Sequence, residues 1–195
     1  MLMGWTALER TQAIRSKNPF TKSRKSGAVH IWIAFAVAIL ISPTAFAFQN
    51  EPTGFRNIAW GTSFETVSKE LTLEQKDGDT VYYSRIGDSL IIGDAKLKDI
   101  TYTFYRGRFS GVLIRSIADP GISRIMTKTF KATFGEGSQP NEYMERYIWL
   151  GPIAIITLDC NDIRNTCDGI IRSTTIFNEE RANEEAGATG AKKDF

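Results

Sequence analysis

The chain has 195 residues, 42% of them hydrophobic and 24% charged, which is ordinary globular usage and excludes a wholly disordered protein. Its formal net charge of +2 hides a segregation. Residues 1–47 hold six basic side chains (Arg10, Arg15, Lys17, Lys22, Arg24, Lys25) against Glu9 alone, which leaves residues 48–195 acidic by about three charges and removes the main support for nucleic-acid binding.

The basic stretch ends at Lys25 and is followed by an apolar run, Ile31 to Ile41, then Ser42-Pro43 and Ala45-Phe46-Ala47. A positive flank, a short apolar segment, a helix breaker and a small-x-small site form the order of a secretory signal peptide. Residues 1–47 are read as that signal, with a long basic flank and cleavage after Ala47. A membrane anchor through residues 28–48 is the alternative, but a span needs about 20 apolar residues and the uninterrupted run is shorter. No Cys follows the apolar segment closely, which argues against a lipoprotein. The expected location is the periplasm, with no stable span after cleavage.

Residues 48–55 read as a mobile lead-in. Thr62 or Ser63 is placed to cap a helix over 63–71, with Phe64, Val67 and Leu71 on one face. Strand signals follow over 80–86, 90–92, 97–105 and 109–117, separated by Gly- and Asp-containing turns. Asp119-Pro120-Gly121 precedes a second helix over 123–134, with Ile122, Ile125, Met126, Phe130 and Phe134 inward and Gly135 as its stop. Further strands are predicted over 142–150, 153–160 and 170–177. The Glu-, Ala-, Gly- and Lys-rich tail, 179–195, has little to bury and is expected to be disordered or at most a frayed helix. Tight turns between neighbours predict one α+β domain over 48–178, a largely antiparallel sheet with both helices on one face.

Cys160 and Cys167 are the two cysteines. They flank a polar turn between apolar runs, so in an oxidising compartment they are expected to bridge the base of a hairpin. The one histidine, His30, lies in the leader. Residues 48–195 therefore cannot build Ser-His-Asp or Cys-His nucleophiles or a His-ligated metal site. Asp159, Asp162 and Asp168 surround the cysteine turn without the order of a calcium loop, and a solvated hairpin tip is the preferred reading. No catalytic residue, cofactor or metal is assigned.

Aromatic residues carry the remaining signal. Tyr102, Phe104, Tyr105, Phe109, Tyr143, Tyr147 and Trp149 all fall on predicted strands. Tyr105, Tyr147 and Trp149, rimmed by Arg106, Arg108 and Arg146, are the candidate binding surface. The competing reading makes the same rings the core beneath the helices, and points to the sheet face away from the helices as the place for a partner.

The stretch Gly54-Phe55-Arg56-Asn57-Ile58-Ala59-Trp60-Gly61-Thr62 resembles the opening of a group of small exported bacterial domains. Leu90 to Lys96, Ile100 to Tyr105, Phe134-Gly135 and Tyr147 to Gly151 fit the same group. The resemblance covers about residues 54–178 and carries no activity. In architecture the chain is also similar to periplasmic β-lactamase-inhibitor and outer-membrane-assembly lipoprotein domains, though it lacks their lipid-bearing Cys. The expectation is a non-enzymatic envelope protein that binds another protein or an envelope component. A His-independent carboxylate hydrolase of an envelope component is the alternative.

Overall fold

The computed structural model describes residues 48–191, with side chains described to Thr189. The expected signal peptide, 1–47, lies outside the described residues, as does all of the alternative anchor except Phe48. The N-terminal stretch is fixed rather than mobile. Phe48 sets its ring edge-on to Phe134, the Gln49 N–H donates to the Phe134 carbonyl, and Glu51 accepts from the N–H groups of Ile153 and Ala154 at 2.6 and 2.7 Å. The reading from composition missed these partners because they lie about a hundred residues away.

Two short strands, β1 (Gly54–Phe55) and β2 (Ile58–Ala59), form a hairpin whose turn residues Arg56 and Asn57 both have positive φ. That is the two-residue turn whose twist matches a hairpin. The hairpin plugs the core: Phe55 lies edge-on to Tyr102, Ile58 is buried, and Trp60 stacks on Phe109 while donating from Nε1 to the Pro52 carbonyl. The apolar and aromatic residues of the Gly-Phe-Arg-x-Ile-x-Trp-Gly-Thr stretch thus have a packing role.

The first helix, α1 (Phe64–Val67), is shorter than expected and ends in a 3-10 turn over Ser68–Glu70. Phe64 stacks on Tyr83 and meets Phe104 edge-on. Then come β3 (Leu71–Asp77), β4 (Thr80–Arg85), β5 (Ile91–Ile92), β6 (Ala95–Tyr105), β7 (Arg108–Ser116), α2 (Ile122–Phe134), β8 (Arg146–Leu150), β9 (Ala154–Asn161), β10 (Thr166–Ser173) and α3 (Thr174–Ala191). The sheet runs β3-β4-β6-β7-β10-β9-β8, with β5 paired to β6, and every neighbouring pair is antiparallel. The α+β antiparallel architecture is as the sequence predicts.

Alternation assigns the two faces of the sheet. One row of paired residues crosses six strands as Tyr83, Tyr102, Val112, Ile171, Ile156 and Trp149; the next crosses as Ile100, Ile114, Gly169, Leu158 and Tyr147. These rows form the core under α2, whose Ile122, Met126, Phe130 and Phe134 recur every fourth residue and are buried. Gly169 makes the fit possible, since a Cβ there would stand 3.0 Å from Phe130 Cζ. Both predicted helices pack on this face. Cys160 and Cys167, directly paired on β9 and β10, are bridged as expected. The tip between them is turned by Asn161, whose Oδ1 accepts from the Arg164 N–H.

The C-terminal end departs from the expectation. The last strand stops at Ser173, and Ile176 and Phe177 belong to α3, which runs through the tail expected to be disordered. α3 lies on the opposite face from α2, where Glu179 takes Arg108 in a two-oxygen ion pair at 2.7 and 2.8 Å. Glu180 accepts from Thr80, and Asn183 donates to the Tyr105 hydroxyl. Among the described residues its only buried apolar anchor is Ile176, so no apolar stripe marked it in the sequence; Glu and Ala supply propensity and polar contacts supply the docking.

A polar knot sits at the far end of the core. The Tyr102 hydroxyl donates to Asp88 at 2.8 Å, and Asp88 also pairs with Arg56. Burial first, then this hydrogen bond, pushes the Tyr102 phenol up to about 12; burial and the bond to Glu145 do the same for Tyr147. The folded chain therefore keeps these two protons where the unfolded chain loses them. Their stabilising contribution is whole below pH about 10 and falls as the pH rises from there to about 12. Ultraviolet titration is expected to show Tyr102 and Tyr147 ionising about two pH units late, as stability declines. Two tyrosines still ionising that late after Tyr102→Phe, which leaves five, would contradict the assignment to Tyr102.

Candidate interaction surface

The face of the sheet away from α2 has a different character. On β8, β9 and β10 its residues are half-buried or exposed, in strict alternation with the buried core rows; beneath α3, Tyr105, Ser110 and Gly111 are buried. One row reads Thr101, Leu113, Ile170, Thr157 and Ile148; its neighbour ends in Ile155 and Leu150. Leu150 is 73% exposed. The result is an apolar strip of Leu113, Ile148, Leu150, Ile155 and Ile170, with Leu150 exposed and the other four half-buried.

A charged row borders this strip: Asp99, Arg115, Asp168, Asp159 and Arg146, paired in that order across the strands β6, β7, β10, β9 and β8. Arg115 Nε donates to Asp99 at 2.7 Å, and Arg146 takes Asp159. The Asp168 carboxylate, between them, makes no hydrogen bond among the described residues. Partial burial holds its carboxyl above the usual range, helped by Asp159 and Asp99 and opposed by Arg115. Directly opposed carboxylates on one sheet face repel. The Asp159–Asp168 juxtaposition is thus a mild local cost on a solvent-facing patch.

At the other end of the same face, α3 overhangs the sheet and leaves a cleft of about 560 Å³. The β3–β4 turn, Tyr105 and Arg106 of the β6–β7 connection, Arg172 of β10 and the inner side of α3 enclose it. Arg106 lies over the Tyr105 ring and pairs with Asp79.

The six residues expected to form one binding surface are divided by this geometry. Tyr147 and Trp149 are 6% and 3% exposed and belong to the core, where Trp149 Nε1 donates to the Gly135 carbonyl at 2.9 Å. They are not surface residues, because they share strand parity with the row under α2. Arg146, one residue away, points to the opposite face. Tyr105 is buried beneath α3, Arg108 is held by Glu179, and only Tyr105 and Arg106 border the cleft. Tyr143 lies before β8 and is exposed.

The apolar strip itself was missed. A signal was present: Val112-Leu113-Ile114, Ile148-Trp149-Leu150, Ala154-Ile155-Ile156 and Ile170-Ile171 are apolar at consecutive positions, which places apolar side chains on both faces of a strand.

Among the described residues no helix is long and apolar enough to cross a membrane, and no cluster of three or more His, Cys, Asp or Glu side chains is placed to hold a metal ion. No family model, curated protein or solved structure matches the chain.

Proposed function

We propose that the protein is a non-enzymatic interaction module of the bacterial envelope, exported to the periplasm, that docks another protein on the face of its sheet opposite α2. The observation that carries this reading is the partly exposed apolar strip. Leu113, Ile148, Leu150, Ile155 and Ile170 present aliphatic surface beside a charged row of three aspartates and two arginines. An apolar centre with a charged rim is the anatomy of a protein–protein contact: apolar burial supplies affinity and the rim fixes register. The bridged cysteines and the order of charged and apolar segments in residues 1–47 support an oxidising, extracytoplasmic setting.

The test is photocrosslinking in cells expressing the full-length gene at native level. A crosslinker at Leu150 is expected to trap one discrete protein, and Ile155→Glu is expected to cut the yield at least tenfold, because a buried unpaired carboxylate opposes docking. A crosslinker at Ile163, exposed on the cysteine hairpin tip, serves as the control. Equal trapping at both positions, or none at Leu150, would refute the reading.

A further inference from the structure

We propose that the cleft under α3 binds a small zwitterion, its carboxylate held by Arg172 and its cationic group directed toward Asp77 and Glu184. This site lies at the α3 end of the sheet and does not rest on the docking strip.

The argument begins with the ion pairs. Arg85, Arg106, Arg108, Arg115 and Arg146 of the sheet and its turns each hold a carboxylate. Arg172, half-buried at the centre of the same face, holds none among the described residues. Its guanidinium lies 5.4 Å from the centroid of the Phe177 ring, a contact that fixes the plane of the fork while leaving its N–H edge free. Gly111 opposite gives it room: a Cβ there would stand 3.0 Å from Arg172 Cγ. No ion pair joins it to Glu180 among the described residues. Glu180, which lines the same deep end of the cleft, accepts from Thr80 Oγ1 at 2.8 Å. A half-buried guanidinium is ordinarily matched by an acceptor, and its planar fork suits a carboxylate.

The rim selects among anions. Asp77 and Glu184 line the cleft and make no ion pair among the described residues, while Asp79 is neutralised by Arg106. A polyanion would meet these carboxylates, whereas a zwitterion satisfies both ends. The volume of about 560 Å³ is that of a small-molecule site.

The test follows the Arg172 Nε–H resonance by ¹⁵N NMR in protein recovered from cells expressing the full-length gene. The probes are the dipeptide Ala-Ala, its C-terminal amide, its N-acetyl form and inorganic phosphate. Ala-Ala is expected to shift the Arg172 signal with millimolar or tighter affinity. Amidation and Arg172→Gln are each expected to weaken binding at least tenfold, the loss of a charge-assisted pair. Asp77→Asn with Glu184→Gln is expected to weaken Ala-Ala while leaving the N-acetyl form unchanged, a readout that a general loss of structure would not give. No shift at millimolar Ala-Ala, phosphate binding as tightly as Ala-Ala, or the amide binding as well as the acid would each overturn the proposal.

Discussion

Trp149→Ala is expected to lower the unfolding free energy by about 3–5 kcal/mol, while Leu150→Ala, one residue away, changes it by less than about 0.5 kcal/mol. The difference follows from parity on β8. Trp149 is buried against Phe130, Phe134 and Tyr147, with ring centroids 6.0 to 6.3 Å apart, so truncation leaves a cavity that the paired strands cannot collapse. It also removes the donor to the buried Gly135 carbonyl at the end of α2, adding the cost of an unsatisfied acceptor. Trp149→Phe separates the two contributions: it restores most of the packing and leaves the carbonyl unpartnered, and is expected to fall between wild type and alanine. Leu150 projects from the other face into solvent and has little to lose. Urea unfolding midpoints of the three variants are the measurement. A near-neutral Trp149→Ala with a costly Leu150→Ala would mean that the faces of the sheet are assigned the wrong way round.

The same pair shows how far the sequence could be read. Alternation and turn chemistry located β4 to β10, with β10 expected four residues late, and both α2 ends, because those signals are local: Gly135 stops α2, and Arg106-Gly107 turns β6 into β7. The disulfide was legible for the same reason, two cysteines across a polar turn. Which face of β8 turns inward was not local. It depends on pairing with Ile156 and Leu158, and through them with Ile171 and Gly169, where Phe130 seats. An aromatic-rich strand looks like a binding surface until its partners are known. β3 was hidden because it is an edge strand, mostly exposed and nearly all polar beyond Leu71 and Leu73. α3 was hidden because its docking uses Glu179, Glu180 and Asn183 reaching residues 71 to 100 positions back, which no window along the chain can see. The cleft, which exists only because α3 is there, was invisible with it, and so was Arg172.

Reduction of the Cys160–Cys167 bond is expected to cost about 2–3 kcal/mol, detected as a fall in the urea midpoint of the same protein with and without reductant. Reduction is a cleaner probe than substitution here. Both cysteines are buried in the core face, Cys167 beside Ser116, whose Oγ accepts from its N–H. A serine or alanine in their place would alter packing as well as connectivity. The bond closes a short loop, seven positions along the chain, so the unfolded ensemble it restrains loses only modest freedom. The hairpin it ties is nevertheless central, because β10 joins the β8–β9 pair to the rest of the sheet through β7. Fraying at Cys167 opens the register that aligns Asp168 with Arg115 and Asp159, and the charged border of the docking strip with it. The reduced protein is therefore expected to lose the Leu150 crosslink before it unfolds globally. Retention of both midpoint and crosslink on reduction would show that pairing alone holds the hairpin and would remove the bond from the argument for an oxidising compartment.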